Sequence, residues 1–102
     1  VEVSIFSKEL LKLYQTGKSK KYALPSNVLK SFFEIIEILR AAENIYDLWK
    51  EPSLNFERLK GTEKRYSLRL SGKFRLEITI DGENEDKTVG SIVIEEISSH
   101  YS

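Results

Sequence analysis

The stretch Tyr66-Ser67-Leu68-Arg69-Leu70-Ser71-Gly72-Lys73-Phe74-Arg75-Leu76-Glu77-Ile78-Thr79-Ile80 decides the fold. Tyr66, Leu68 and Leu70 alternate with Ser67 and Arg69, and Phe74, Leu76, Ile78 and Ile80 alternate with Arg75, Glu77 and Thr79. A period of two sends successive side chains to opposite faces, so these are the two strands of a hairpin with one face buried. Beyond it, Asp81 to Lys87 reads as a polar turn. Val89 to Ile97 reads as a third strand, more continuously apolar and therefore expected to be central. Upstream, the period changes to that of a helix. Pro25-Ser26-Asn27 supplies helix-start chemistry, and Val28, Leu29, Phe32, Phe33, Ile35, Ile36 and Leu39 form one broad apolar face reaching about Ala42. An earlier helix is expected over residues 8 to 16, with Ser7 as N-cap and Gly17 in the left-handed position after the last turn. Val1, Val3 and Ile5 alternate with Glu2 and Ser4 as a short strand. Asn44 is placed to cap one further turn through Ile45, Leu48 and Trp49, which Pro52 stops. The order predicts an α+β domain, with a short N-terminal strand and two main helices packed on one face of an antiparallel sheet.

Composition narrows the chemistry. The 102 residues suit a single domain over residues 1 to 102, and 40% apolar residues support one core without a deep cofactor pocket. There is no cysteine, which removes disulfides, thiolate zinc sites and cysteine nucleophiles. His100 is the only histidine, so a histidine-rich metal cluster is excluded and neither metal nor cofactor is expected. No apolar run approaches the ~18 to 20 residues that span a bilayer, and the start Val-Glu-Val-Ser-Ile-Phe lacks the features of a leader. No membrane association and a cytoplasmic location are the expectations.

The formal net charge is zero, from 16 basic and 16 acidic residues, but the charges are segregated. Residues 1 to 33 carry six basic and two acidic groups, and residues 34 to 57 carry two and six. Residues 58 to 75 hold Arg58, Lys60, Lys64, Arg65, Arg69, Lys73 and Arg75 against Glu63, whereas residues 76 to 102 hold Lys87 against seven acids. A basic block of this kind either meets a polyanion or is neutralised when folding brings the acidic blocks to it.

The hairpin loop Ser71-Gly72-Lys73 is expected to pair Leu70 with Phe74 and to set Arg69 across from Arg75. Neighbouring registers would set Arg69 against Lys73 or Glu77. Two opposed arginines ask for an anion, unless Glu77, two residues along the same face, neutralises Arg75. Gly61 permits a tight turn that aims Lys60 at the same face, and His100-Tyr101 leaves the end of the last strand, either towards this site or as a solvated tail. Together these residues suit metal-free RNA cleavage. A 2′-hydroxyl loses its proton and attacks the adjacent phosphate, guanidinium groups stabilise the crowded phosphorane, and a proton reaches the departing 5′-oxygen. A histidine titrating near neutrality suits that proton transfer, with Lys60 or Tyr101 assisting. Arg58, Lys64, Arg65 and Lys73 are the candidate RNA contacts.

Leu59-Lys60-Gly61, Tyr66-Ser67-Leu68-Arg69, Phe74-Arg75-Leu76 and Ile94-Glu95-Glu96-Ile97-Ser98-Ser99-His100-Tyr101 resemble the HigB branch of the RelE/ParE toxin superfamily. The corresponding runs there read Leu-Lys-Gly, Tyr-Ser-Ile-Arg, Trp-Arg-Ile and Val-Glu-Ile-Val-Asp-Tyr-His. Gly17-Lys18-Ser19-Lys20-Lys21-Tyr22 is similar to a Gly-Lys-Ser-Lys-Lys-Tyr run of the same branch. The resemblance implies a RelE-like fold and a type II toxin that enters the ribosomal A site and cuts mRNA. It also implies catalytic roles for Lys60, Arg69, Arg75 and His100 by motif match, with Arg65 and Tyr101 as secondary candidates, and a HigA-like helix-turn-helix antitoxin as partner. Where the family run has Asp-Tyr, this chain has Ser98-Ser99, so no acidic or tyrosyl contribution carries over to those positions. Zero net charge is a second departure, implying a weaker electrostatic drive to ribosomal RNA. A ParE-like gyrase inhibitor on the same fold and a degenerate protein-binding domain are the competing readings.

Overall fold

The alternation at 66–80 becomes strands β3 (Arg65–Ser71) and β4 (Phe74–Asp81) in the computed structural model, which describes residues 2–44, 47–48, 50–62, 64–81 and 90–99. Around them lie β1 (Glu2–Ile5), α1 (Lys8–Thr16), α2 (Ser26–Ala41), β2 (Glu57–Arg58) and β5 (Ser91–Ser99), in a five-stranded sheet of order β1-β5-β4-β3-β2. The even-numbered residues of β3 and β4 face α1 and α2. Leu68, Leu76, Ile78, Ile80, Ile92 and Ile94 are fully buried there against Leu10, Leu13, Phe32, Ile36 and Leu39.

Local chemistry sets the element ends. The Leu10 N–H donates to Ser7 Oγ at 3.3 Å, so Ser7 caps α1 as expected. Gly17 closes that helix at φ 77°, its N–H donating to the Leu13 carbonyl at 2.8 Å. The Asn44 side chain accepts from the Asp47 N–H at 3.3 Å, while the Asp47 carboxylate accepts from the N–H groups of Glu43 and Asn44. This reciprocal capping is the turn anticipated from Asn44. Ile45 and Trp49 of that turn lie outside the described residues.

Four details depart from the sequence expectation. The sheet is mixed, because β1 runs parallel to β5, with Val3 opposite Ile92 and Ile5 opposite Ile94. The long connection through both helices returns the chain to the sheet in either sense, and local alternation carries no information about which. β5 is interior, flanked by β1 and β4, but β4 is the middle strand. The stretch before β3 is not bare: a 3-10 turn at Pro52–Leu54 leads through Asn55, at φ 44°, into β2. Phe56, just before β2, stacks on Tyr66 with ring centroids 4.9 Å apart. Finally, Ser71 rather than Leu70 pairs with Phe74, leaving a two-residue turn of Gly72 and Lys73 and a bulge between Arg69 and Ser71. Glycine at φ 56° in the first turn position suits a two-residue hairpin, whose twist then matches that of its strands.

Candidate functional site

The bulge takes up one residue, so Arg69 still stands across from Arg75. This register was one of three open alternatives in the sequence, and it brings the two Cα atoms within about 4.5–5.5 Å by ladder geometry. On its other side Arg75 pairs with Ser98, and Phe74 with Ser99. The hairpin end of the sheet thus gathers Arg69, Arg75 and the last strand residues before His100. His100 and Tyr101 themselves lie outside the described residues.

Arg75 is the best-held cation of the group. Its Nε donates to Ser67 Oγ at 2.9 Å, and Nη2 donates to the Asn55 carbonyl at 2.7 Å. Nη2 also lies 3.5 Å from Glu57 Oε1, and the side chain is 17% exposed. The Ser67 side chain on which it rests is fully buried. Asn55 offers its carbonyl because the left-handed backbone there turns the chain from the 3-10 turn into β2. Among the described residues Nη1 takes no part in these contacts, so its N–H groups face no acceptor there and suit an oxyanion.

Glu77 does not neutralise Arg75. It stands opposite Ser67 on β3 and opposite Glu96 on β5, and its carboxylate meets Arg65 Nη2 at 3.4 Å. Arg65 also reaches Glu96 at 3.9 Å. One guanidinium therefore separates two carboxylates that the ladder forces together, which explains why Glu77 turns away from Arg75. Thr79 Oγ1 donates to Glu95 Oε2 at 2.8 Å, beside the bulge that β5 makes against Glu77 and Ile78.

The remaining cations scatter. Arg69 is exposed and borders a recess of about 190 Å³ formed with Ser31, Glu34 and Ile38 of α2 and with Ser53 and Leu54. Its guanidinium makes no ion pair among the described residues. Lys60 sits in the turn closing β2 onto β3, beyond the level at which the Leu59 N–H donates to the Arg65 carbonyl. That is two ladder positions, about 7 Å, past Ser67. Gly61 forms this turn at φ 80°, as the sequence suggested. Lys64 pairs with Asp81 at 3.2 Å. Arg58 is exposed on edge strand β2, and Lys73 is exposed in the hairpin turn. From Arg65 to Lys73 the spread along the strand is on the order of 20 Å, so these cations do not form one cluster.

Ser67, Asn55 and Glu57 were missed from sequence. Ser67 was detectable, since it is the small polar residue between Arg65 and Arg69 on their own face. Asn55 and Glu57 were not, because a two-residue strand has no periodicity.

A family model for the RelE-like toxin of the type II toxin-antitoxin system HigB matches residues 4–89. The chain belongs to this HigB-like toxin family. The match covers the end of β1, both helices, the hairpin and the Lys60, Arg69 and Arg75 positions, and it stops short of β5. No curated protein matches the chain. The α+β architecture of the HigB-like toxin, with two helices on a five-stranded mixed sheet, agrees with the RelE-like assignment. Family membership makes the chain a toxin of a type II pair, and so implies an antitoxin partner. No helix among the described residues is long and apolar enough to cross a membrane.

Proposed function

We propose that this HigB-like toxin is a ribosome-dependent mRNA endoribonuclease that works without metal in the cytoplasm, and that a HigA-like helix-turn-helix antitoxin restrains it. The observation that carries the reading is Arg75: a mostly buried guanidinium held by Ser67 and Asn55, in register with Ser98 and opposite Arg69. A cation fixed before substrate arrives stabilises developing negative charge without reorganising, which favours the phosphorane over the bound ground state.

In this reading the mRNA 2′-hydroxyl attacks the adjacent phosphorus, and Arg75, with Arg69 beside it, takes the charge that builds on the non-bridging oxygens. The 5′-oxygen leaves with a proton, and a 2′,3′-cyclic phosphate remains. His100 moves protons on this path, with Tyr101 next to it, and Lys60 contributes a further phosphate contact from the neighbouring turn. Purified protein added to programmed ribosomes is expected to cut mRNA in the A site, with cuts lost in Arg75→Ala and His100→Ala while folding is retained. Normal cutting by both variants would refute this site.

A further inference from the structure

β1 pairs only with Ser91–Ile94, and the Phe6 N–H adds one further bond to the Ile94 carbonyl at 2.9 Å. Strand β5 continues to Ser99, and among the described residues no strand pairs with the outer edge of Glu95–Ser99. The connector at Lys21–Leu24 runs alongside instead. Between connector and edge lies a groove of about 370 Å³, with Leu24, Phe74 and Ile97 as apolar wall and Ser98 and Ser99 as polar lining. A second recess of about 220 Å³ shares Tyr22, Ala23 and Leu24 with it and reaches Lys18.

The charge at this groove differs from that of the hairpin. Lys64, Arg65 and Arg75 each meet a carboxylate. Lys18, Lys20 and Lys21 make no ion pair among the described residues; Lys20 and Lys21 are exposed, and Lys21 Nζ lies 5.4 Å from the Tyr22 ring centroid. The connector is nevertheless fixed, since Ser19 Oγ donates to Glu9 at 2.9 Å and accepts from the Tyr22 N–H at 3.2 Å. Glu96, the acidic group lining the groove, is drawn to Arg65.

We infer that this groove is a binding track for single-stranded RNA flanking the scissile phosphate, with Lys20 and Lys21 on the phosphates and a base against Leu24 and Phe74. The inference rests on the reading of the chain as an RNA-cutting toxin. Two features select RNA over a peptide strand. The groove is continuous with the candidate site, because Ser98 and Ser99 line it and pair with Arg75 and Phe74. Lys21 also lines it and, with Lys18 and Lys20 of the same connector, makes no ion pair among the described residues, and a cationic groove with an apolar or aromatic wall is the usual form of a single-strand track.

The test is fluorescence anisotropy of a labelled, fully 2′-O-methylated RNA nonamer, which cannot be cleaved, titrated with full-length toxin over a salt series. Against wild type, the Lys20→Gln/Lys21→Gln double variant should bind more weakly, with a plot of log K against log salt shallower by about 1.4, or 0.7 per lysine. Lys30→Gln, which removes a lysine paired with Glu34 on α2, should leave the slope unchanged. No wild-type binding, or an unchanged slope in the double variant, overturns the track. An unchanged slope with weakened antitoxin binding assigns the groove to protein and also overturns it. The two readings separate cleanly: wild type that fails to cut programmed ribosomes but shows the lysine-dependent slope removes the cleavage reading alone. Wild type that cuts, with an unaltered slope in the double variant, removes the track alone.

Discussion

Ser67→Ala tests whether Arg75 is held by the protein or merely rests near it. The hydroxyl is fully buried and accepts Arg75 Nε at 2.9 Å. Removing it leaves an N–H of a charged group facing a methyl, in a side chain that is only 17% exposed and has little access to replacement water. A hydrogen bond to a charged group contributes about 1.5–3 kcal/mol net. The Nη2 bond to the Asn55 carbonyl survives, so the lower half of that range applies, about 1.5–2 kcal/mol. For a domain of this size that lowers Tm by roughly 6–16 °C. Urea denaturation should show a lower midpoint at unchanged slope, the mark of a stability change without a change in surface exposed. A double-mutant cycle with Arg75→Ala isolates the contact: Ser67→Ala should cost at least about 1 kcal/mol less in that background. If the proposed A-site cutting is the activity, Ser67 acts on it through Arg75, so the loss should appear in kcat more than in KM. A midpoint within the range of neutral substitutions, about 0.5 kcal/mol, or an additive cycle, would refute the assignment of Ser67 as the residue that positions Arg75.

Two further outcomes follow from the ion pairs and the hairpin. Glu77→Gln should destabilise by about 1–3 kcal/mol in urea, because Arg65 exchanges a largely buried carboxylate for a neutral amide, whereas Lys64→Ala at the exposed Asp81 pair should stay within about 0.5 kcal/mol. Gly72→Ala should cost about 1–2 kcal/mol by thermal melting, since nothing lies within 4 Å of a Cβ there and the loss is purely that of a side chain at φ 56°.

What could be read from sequence, and what could not, divides along the range of the interactions. The alternation from Tyr66 to Ile80 specifies faces, because a one-residue slip would turn Leu68, Leu76 and Ile78 to solvent. That constraint put Arg69 and Arg75 on one face but left three registers open, and the two-residue turn with its bulge between Arg69 and Ser71 is what sets the two arginines opposite each other. Ser7 and Gly17 are equally local and end α1 as their chemistry demands. The parallel pairing of β1 is not local, since residues 2 to 5 meet residues 91 to 94 across nearly the whole chain. Nor is the partner of Arg75: Glu57 reaches it only because Pro52–Leu54 and the left-handed Asn55 turn two residues into a strand. Glu77 looked like the neutralising group because it is near in sequence. The ladder sets it against Glu96, and that repulsion gives Arg65 to the acidic pair instead.

The segregated charge blocks acquire a different meaning once folded. Three of the seven cations at 58–75 are answered by acids from their neighbours, with Glu57 on Arg75, Glu77 and Glu96 on Arg65, and Asp81 on Lys64. These three therefore hold the open face of the sheet together before they touch any substrate, and a count of positive residues overstates the attraction they offer. Among the described residues, positive charge without an ion pair sits at Arg58, Lys60 and Arg69 and in the connector lysines, which come from the first block of the chain and of which Lys21 lines the groove at the end of β5. With net charge zero and a screening length of about 8 Å at physiological salt, such a surface adds little long-range steering. On the proposed reading, an RNA strand feels it only on arrival. That arrangement suits a substrate delivered by a larger assembly, where encounter is already arranged and the protein's charge has only to fix the strand and stabilise the reacting phosphate.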